Sequence, residues 1–208
     1  MRPPVLLTST RRRQPQTLRI SDFEFIPTSS AAPQSPVFFA PRQPLAYDIP
    51  VVSTPELLHF YISHSHNYFG HHGQPPGDAP MEEVDHIDCV AGRGIREDRF
   101  FDFKTDYKGQ VTFFEQEVYD DLCKALQIYD KSPSVFRRNV VTSGVDLASW
   151  FDAEFELQGV RFRGRGECTP CYWMDQAFGP GAEVALQGRG GLRAVILNDG
   201  VLRTGVLP

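Results

Sequence analysis

Residues 193–204 read Arg193-Ala194-Val195-Ile196-Leu197-Asn198-Asp199-Gly200-Val201-Leu202-Arg203-Thr204. Two short aliphatic runs therefore flank the triplet Asn-Asp-Gly. Short runs of this kind, bounded by turn-forming residues, are typical of β-strands. Asp-Gly supplies the positive φ angles that a two-residue hairpin turn needs, so we predict a β-hairpin here.

Short strands are also predicted along the middle of the chain. Residues 84–90 alternate apolar and polar side chains, which indicates a half-buried strand that ends at Gly92 and Gly94. Similar short runs occur at residues 57–62, 139–142, 155–157 and 160–162, with Gly159 in a tight turn between the last two. Many short strands, frequent glycine and few helices predict a mostly-β fold with a few short helices, similar to a barrel.

One helix is predicted after Thr112. The run from Thr112 to Glu115 has the form of a capping box, in which a threonine and a glutamate satisfy the first amides of a helix. Four apolar residues at a spacing of four share one helix face: Phe114, Val118, Leu122 and Leu126. Cys123 lies beside this stripe, where we expect a half-buried thiol.

Composition and charge exclude several classes of protein. The chain of 208 residues has a net charge of -5, which gives no general reason to expect a nucleic-acid partner. No window approaches the roughly 18 uninterrupted apolar residues of a transmembrane helix, and the first residues lack the apolar core of a secretory signal. Four cysteines in a chain of this length do not form a disulfide scaffold. We therefore expect a cytoplasmic protein with reduced thiols and no membrane association.

The first 50 residues differ in composition from the rest. They hold nine of the 17 prolines, and six arginines against three acidic residues, which gives a net charge of +3. Since the whole chain carries -5, the other 158 residues carry -8. Closely spaced prolines do not support a helix or a central strand, so residues 1–50 are predicted to be a disordered Pro/Arg-rich extension. Organised structure is predicted for residues 55–208.

The cysteines with the most informative spacing lie in Gly166-Glu167-Cys168-Thr169-Pro170-Cys171-Tyr172-Trp173-Met174-Asp175. From spacing alone, Cys168 and Cys171 fit half of a zinc site, a redox dithiol or two buried thiols. A thioredoxin-like dithiol would need a βαβ unit, which the strand-rich flanks do not indicate. Zinc would need further ligands. The only second cluster of suitable side chains is a Gly/Pro-rich loop with His64, His66, His71 and His72.

Arginines are concentrated in three clusters, at residues 93–99, 137–138 and 189–193. The first and third clusters are embedded in glycine. Glycine lets a backbone approach a ligand closely, and arginine presents a planar fork to phosphate or carboxylate. A net-negative domain that gathers arginine onto glycine turns is therefore predicted to bind a small anionic ligand.

Several short motifs occur in a fixed order. They are Gly94-Ile95-Arg96-Glu97-Asp98-Arg99-Phe100, Gly109-Gln110-Val111-Thr112, Arg137-Arg138-Asn139, Gly144-Val145-Asp146-Leu147, Pro170-Cys171, Gly188-Arg189-Gly190-Gly191-Leu192-Arg193-Ala194 and Asp199-Gly200-Val201-Leu202-Arg203-Thr204-Gly205. Residues 82–206 thereby resemble the MOSC domain, the module found at the C-terminus of molybdenum-cofactor sulfurases and in stand-alone proteins. Residues 173–182 fit the stand-alone members, and the Phe-Gly-His-His-Gly loop at 69–73 resembles one subgroup of them.

The resemblance implies a barrel-like β-rich fold that binds molybdenum cofactor (molybdopterin) or handles sulfur for it. The family's key cysteine follows a proline and corresponds to Cys171, which would be the catalytic thiol, as a molybdenum ligand or a persulfide carrier. A soft thiolate suits both molybdenum and sulfur. Cys168 would be a neighbour, or a resolving thiol for a persulfide. The resemblance implies cofactor contacts, including contacts to its phosphate, for Arg99, Arg137, Arg138, Asn139, Arg189, Gly190 and Arg193.

The first motif departs from the family pattern at two positions. Glu97 stands where the family usually has glycine, and Phe100 where it usually has histidine. Both departures put a catalytic role for this motif in doubt. We expect Asp98 and Arg99 to form an ion pair that holds a turn.

Two activities follow from the resemblance, sulfurtransferase-like chemistry and molybdenum-dependent reduction of N-hydroxylated compounds as in some relatives. No pyridoxal-phosphate desulfurase domain is expected in this chain. A pyridoxal-phosphate-dependent cysteine desulfurase or a molybdoenzyme would then be the sulfur donor or acceptor. The alternative prediction is a zinc-stabilised binding domain that uses Cys168, Cys171 and histidines of the 64–72 loop.

Overall fold

The computed structural model describes residues 55–68 and 73–206. The predicted extension of residues 1–50, together with His71 and His72, lies outside the described residues. The strands are β1 (Glu56–Ile62), β2 (Glu82–Val84), β3 (His86–Val90), β4 (Gly94–Ile95), β5 (Val111–Glu115), β6 (Val140–Ser143), β7 (Glu154–Leu157), β8 (Val160–Glu167), β9 (Leu192–Ile196), β10 (Gly200–Arg203) and β11 (Gly205–Val206). The helices are α1 (Gln116–Leu126), α2 (Trp173–Ala177) and α3 (Ala182–Ala185), with 3-10 helices at Pro133–Phe136 and Leu147–Trp150.

The strands form two sheets. The larger sheet has the order β11-β1-β6-β5-β9-β8-β7, with β2 paired to β1, and the smaller has the order β10-β3-β4. Only the β5–β6 pair is parallel among the described strands. The predicted mostly-β class with a few short helices is confirmed. The order of the larger sheet has two free ends, so the described strands do not close into a barrel.

Strand β5 lies between two apolar clusters. Successive side chains of a strand point to opposite faces. Phe113 therefore joins the main cluster between the sheets, while Phe114 joins a second cluster formed with the helices. The second cluster includes Val118 of α1 and Trp173 of α2. Because both faces of β5 are covered, α1 and α2 are held against the sheet, close to the cysteine segment.

The predicted hairpin at residues 193–204 was wrong. β9 pairs with β5 and β8, whereas β10 pairs with β3 in the smaller sheet, so the Asn-Asp-Gly triplet passes from one sheet to the other. The Asp199 carboxylate accepts a hydrogen bond from the amide of Ala91 at 2.8 Å. Gly200 is required here by close packing, because a Cβ at this position would lie 2.6 Å from a methyl group of Val160.

The predicted capping box was also wrong, although the helix it introduced was confirmed. Thr112 and Glu115 belong to β5, and α1 begins at Gln116 without a side-chain cap. The Thr112 hydroxyl donates to the side-chain oxygen of Asn139 at 2.8 Å, so it has a different partner. Cys123 lies on α1 and is buried. The apolar face of α1 is therefore stabilised by packing in the same cluster as Phe114, which belongs to β5, the strand before the helix.

Asn139 fastens three strands together at the start of β6. Its side-chain oxygen accepts from the amide of Thr112 at 3.1 Å, and its side-chain nitrogen donates to the carbonyl of Tyr61 at 3.1 Å. Its own carbonyl accepts from the amide of Tyr61 at 2.7 Å. The residue is 1% exposed. The buried Asn139 amide satisfies backbone groups of β1 and β5 and therefore holds these two strands next to the start of β6.

Asp98 extends this network to the loop after β4. Its carboxylate accepts from the amides of Ser63 and Phe100 and from the side chain of Asn139, at 3.1 to 3.2 Å. Arg99 donates to it at 3.0 Å, and both side chains of this pair are buried. The expected ion pair is therefore present. It positions Arg99 relative to the ends of β1 and β6.

Asp98→Asn should destabilise the fold by about 3 kcal/mol. The change leaves the buried Arg99 without its counter-ion, and the new side-chain NH2 group faces donors where the carboxylate accepted hydrogen bonds. Urea unfolding of the full chain measures this loss. Asp102→Asn is the matched control, since the Asp102 carboxylate pairs with Arg93 at the exposed surface. We expect the control to unfold at nearly the wild-type midpoint. Equal, small losses from both changes would contradict a structural role for Asp98.

Glu97 adopts the left-handed backbone conformation, with φ of 68°. Glycine reaches this conformation without steric cost, whereas residues with a Cβ do not. The glycine expected at this position by resemblance therefore has a physical reason. The substitution by glutamate keeps the left-handed conformation and adds an exposed side chain.

Glu97→Gly should raise the free energy of unfolding by about 0.5 to 1 kcal/mol, because it removes the steric cost of the left-handed conformation. Glu97→Ala removes the same carboxylate but keeps a Cβ, so we expect no gain from it. Urea unfolding of both variants tests the difference. An equal gain from both would assign the effect to the carboxylate and not to the backbone.

Candidate functional site

One cavity brings together the predicted thiols and four of the predicted arginines. It has a volume of about 220 Å³ and is lined by Cys168 and Cys171. The arginines that line it are Arg99, Arg137, Arg138 and Arg193. They come from the loop after β4, the segment before β6, and β9. Residues far apart in the sequence therefore form one cationic site that contains two thiols.

The two cysteines differ in exposure. Cys171 is exposed, whereas Cys168 is 2% exposed. Both lie in the irregular segment between β8 and α2, and the carbonyl of Cys171 accepts from the amide of Met174 at 2.8 Å. Cys171 is thus the thiol that a partner or ligand reaches from solvent. This difference parallels the predicted difference in role, which stays a prediction.

Cys168 is held firmly by its backbone. Its amide donates to the carbonyl of Gly191 at 2.7 Å, and its carbonyl accepts from Arg138 at 3.1 Å. Burial raises the pKa of the Cys168 thiol, and the neighbouring Arg138 and Arg193 oppose that rise. A raised pKa keeps the group a neutral thiol at neutral pH.

Arg137 is stabilised by oxygen atoms that do not neutralise its charge. Its guanidinium donates to the carbonyls of Ala79 and Ser65 and to the hydroxyl of Ser63, at 2.8 to 3.0 Å. Burial, followed by the charge of Arg99, lowers the pKa of Arg137 to about 10. Its backbone is left-handed, with φ of 56°. Non-glycine residues in this conformation cluster at functional sites, where surrounding structure maintains the strain.

Arg138 fixes the two loops on either side of the cavity. It donates to the carbonyls of Gly190, Phe136 and Cys168 at 2.8 to 3.1 Å. A Cβ on Gly190 would lie 2.2 Å from the Cys168 carbonyl, so glycine is needed for this close approach. The Gly190 amide also donates to Glu167 at 2.9 Å. The Gly190 backbone therefore packs directly against the cysteine segment.

The positive charge of the cavity is only partly compensated. Among residues 55–68 and 73–206, Arg99 forms an ion pair with Asp98, but Arg137, Arg138 and Arg193 form none. Burial lowers the pKa of Arg99 and Asp98 opposes this. Arg193 lines the cavity beside the Cys168 thiol, and its charge opposes the rise in the pKa of that thiol. The arrangement favours an anion.

Three of the predicted cofactor contacts, Asn139, Arg189 and Gly190, are not in the cavity lining. Asn139 is buried in the strand network and donates to Asp98 and Tyr61. Arg189 lies at the surface and pairs with Asp121 of α1 at 2.8 Å. Neither residue lines the cavity that contains the thiols, and Gly190 contacts its lining residues Arg138 and Cys168 without lining it. Their predicted contacts with a cofactor stay predictions.

Sequence reasoning missed the aromatic lining of the cavity. This lining consists of His66, Tyr68, Phe100, Tyr107, Phe136 and Trp173. Phe100 packs edge-on against His66, at 4.8 Å between ring centroids, and lies under the Arg99 guanidinium. Burial and then the charge of Arg99 lower the pKa of His66, while burial raises that of Tyr107. Phe100 and Trp173 lie in segments that carry the family resemblance and His66 lies in the histidine loop, but no sequence signal groups the six residues.

The zinc alternative finds no support in the described residues. No three His, Cys, Asp or Glu side chains of residues 55–68 and 73–206 converge on a possible metal position. His64 lies 3.7 Å from Glu82, while His71 and His72 are outside the described part.

Among residues 55–68 and 73–206, no helix is both long enough and apolar enough to span a bilayer.

Solved structures share this fold. The YuaD protein from Bacillus subtilis is 17% identical, with a TM-score of 0.58 over 73% of this chain and 92% of that protein. YiiM from Geobacillus stearothermophilus is 12% identical, with a TM-score of 0.53 over 74% of this chain and 75% of that one. At these identities the likeness extends to the fold alone. None of the curated proteins compared with the chain matches it.

The family comparison agrees with the ordered motifs. The MOSC domain model matches residues 71–206, a range that contains the cavity cysteines and arginines. The match begins before residue 82, where the recognised motifs start, and so includes part of the histidine loop. It spans more than half of the chain and ends with β11. The chain belongs to the MOSC domain family.

Proposed function

We propose that the cavity binds molybdenum cofactor, with arginines holding its phosphate and Cys171 as the thiolate ligand of the metal. One observation carries the proposal. An exposed thiol and four arginines meet in a single cavity, and three of these arginines have no counter-ion in the described residues. The family to which the chain belongs is associated with this cofactor.

The residues present fit such a ligand. Arg193 has no carboxylate partner among the described residues, and its guanidinium fork suits a phosphate group. Phe100 and Tyr107 present rings of the kind that pack against a flat heterocycle. A cysteine thiolate is a soft ligand of the type that binds soft or borderline metals. Each part of a phosphorylated, metal-bearing pterin therefore has a chemically matched neighbour in the cavity.

The residues of the chain would bind and orient the ligand. Arg138 donates to the carbonyls of Cys168 and Gly190, so these two backbone segments would keep their positions when an anion enters. The burial of Arg137 strengthens its attraction for a phosphate, because the surroundings screen charge less than water does. Bound molybdenum would supply two-electron redox chemistry. An enzyme of this type would reduce N-hydroxylated compounds.

The exposure of Cys171 favours a second candidate, a persulfide carrier with sulfurtransferase-like activity. An exposed thiol can meet the active site of another protein, whereas Cys168 cannot without rearrangement. We propose a pyridoxal-phosphate-dependent cysteine desulfurase or a molybdoenzyme as its partner, in the cytoplasm. Such a carrier would use the same thiol without holding the metal.

Cys171→Ala should lower the molybdenum content per chain at least about tenfold, because it removes a direct ligand. Cys168→Ala should retain most of the metal, because that thiol is buried and is not the proposed ligand. Elemental analysis and pterin fluorescence are measured on the same protein, purified from a host that produces molybdenum cofactor. Equal loss from both changes would contradict a single-thiol site.

Intact mass measurement and peptide mapping of the same protein, together with its metal content, separate the other candidates. Persulfide on Cys171 without molybdenum would favour the sulfur carrier. Zinc at about one per chain, with unfolding on chelation, would favour the zinc-stabilised domain. Neither outcome is compatible with Cys171 as a molybdenum ligand.

Arg193→Gln should weaken phosphate binding by a factor of about 10 to 100, because it removes a charge-assisted hydrogen bond worth about 1.5 to 3 kcal/mol. The rise in Tm with added inorganic phosphate measures binding to the native state. Arg189→Gln is the matched control, since Arg189 lies outside the cavity. The control should keep the wild-type response. A wild-type response from Arg193→Gln would contradict a phosphate site at this residue.

A further inference from the structure

We propose that Cys168 and Cys171 form a reversible disulfide, in which Cys168 resolves an oxidised Cys171. The inference concerns regulation of the site and rests on the proposed function for its consequence, but not for its chemistry. Both thiols line the same cavity, one exposed and one buried. No other cysteine of the described residues lines this cavity.

The segment between the two thiols can close without disrupting regular structure. Residues 168–171 belong to no helix or strand. A disulfide needs Cα atoms about 4.4 to 6.8 Å apart. A β-turn brings the ends of four residues to within about 7 Å, so closure requires residues 168–171, which form no turn or bend in the described structure, to fold into one. Only the short link Thr169-Pro170 separates the cysteines, so closure is a local change.

The backbone contacts indicate which cysteine moves. Cys168 is fixed through its amide to Gly191 and through its carbonyl to Arg138. Gly190 packs directly against that carbonyl. Among the described residues, the Cys171 backbone makes one hydrogen bond, in which its carbonyl accepts from the amide of Met174. The Cys171 sulfur would therefore move into the cavity toward a stationary Cys168.

The oxidant is a hydroperoxide, and the step balances in two stages. The Cys171 thiolate attacks the hydroperoxide, an S–O bond forms as the O–O bond breaks, and the released alkoxide or hydroxide takes up a proton. The Cys168 sulfur then attacks the sulfur of the Cys171 sulfenic acid. An S–S bond forms, the S–O bond breaks, and the hydroxide leaves as water with the proton of Cys168. Two electrons pass from the thiols to the hydroperoxide, and a dithiol reductant reverses the change.

The disulfide has two consequences for the site. It removes the exposed thiol from the cavity, so the oxidised chain has no sulfur available to a metal or to a persulfide. It also protects Cys171 from irreversible oxidation to sulfinic and sulfonic acids. Cys168 thus affects the site by reacting with the sulfenic acid of Cys171, and it is not itself a ligand.

The test is hydrogen peroxide treatment of the full chain, followed by intact mass measurement and peptide mapping. We expect the wild type to become lighter by about 2 Da, with one crosslinked Cys168–Cys171 peptide that dithiothreitol separates. Cys168→Ser should instead gain about 16 Da and then about 32 Da on Cys171. Cys123→Ser is the matched control, because Cys123 is buried on α1 and should leave the disulfide unchanged.

Two results would overturn the proposal. One is a wild-type chain in which Cys171 accumulates sulfinic acid as fast as in Cys168→Ser. The other is a disulfide that joins Cys171 to a cysteine of a second chain. The readout requires neither molybdenum nor pterin, so a chain that forms the disulfide but binds no cofactor would leave this inference intact and refute the proposed function.

Discussion

The buried carboxylate of Asp98 is the contact on which the site depends. It gathers the amides of Ser63 and Phe100, the side chain of Asn139 and the guanidinium of Arg99. Through Asn139 the same network reaches β1 and β5, which are the strands that border the cavity segments. A buried charge is stable only when it is paired and fully hydrogen-bonded, so these groups fix one another's positions. Among the cavity arginines, Arg99 is positioned directly by this network.

Placing the arginines of the cavity close together and partly out of water costs electrostatic free energy. Three buried or half-buried arginines face it without a carboxylate partner, and the pKa of Arg137 is lowered to about 10 by burial and by Arg99. Carbonyl oxygens orient these guanidinium groups but leave their charge in place. Folding stability alone does not explain such an arrangement. An anionic ligand would offset the cost, which links the geometry to the association of the family with a phosphorylated cofactor.

The sequence predicted the parts of this structure that have local signals. The strand class and helix α1 both depend on patterns within a few residues. The hairpin at 193–204 failed because Gly200 is required by packing against Val160, and no local pattern distinguishes that need from a turn. The capping box failed because Thr112 bonds Asn139, 27 residues away. Likewise, His66, Tyr107 and Trp173 reach the cavity only through the tertiary fold.

We propose Cys171 as a molybdenum ligand in a cavity of arginines. X-ray absorption spectroscopy at the molybdenum edge, on the full chain purified from a cofactor-producing host, tests it most directly. The account predicts one sulfur ligand in the molybdenum shell beyond those of the pterin, and its loss in Cys171→Ser but not in Cys168→Ser. A molybdenum shell that is identical in the wild type and in Cys171→Ser would contradict it.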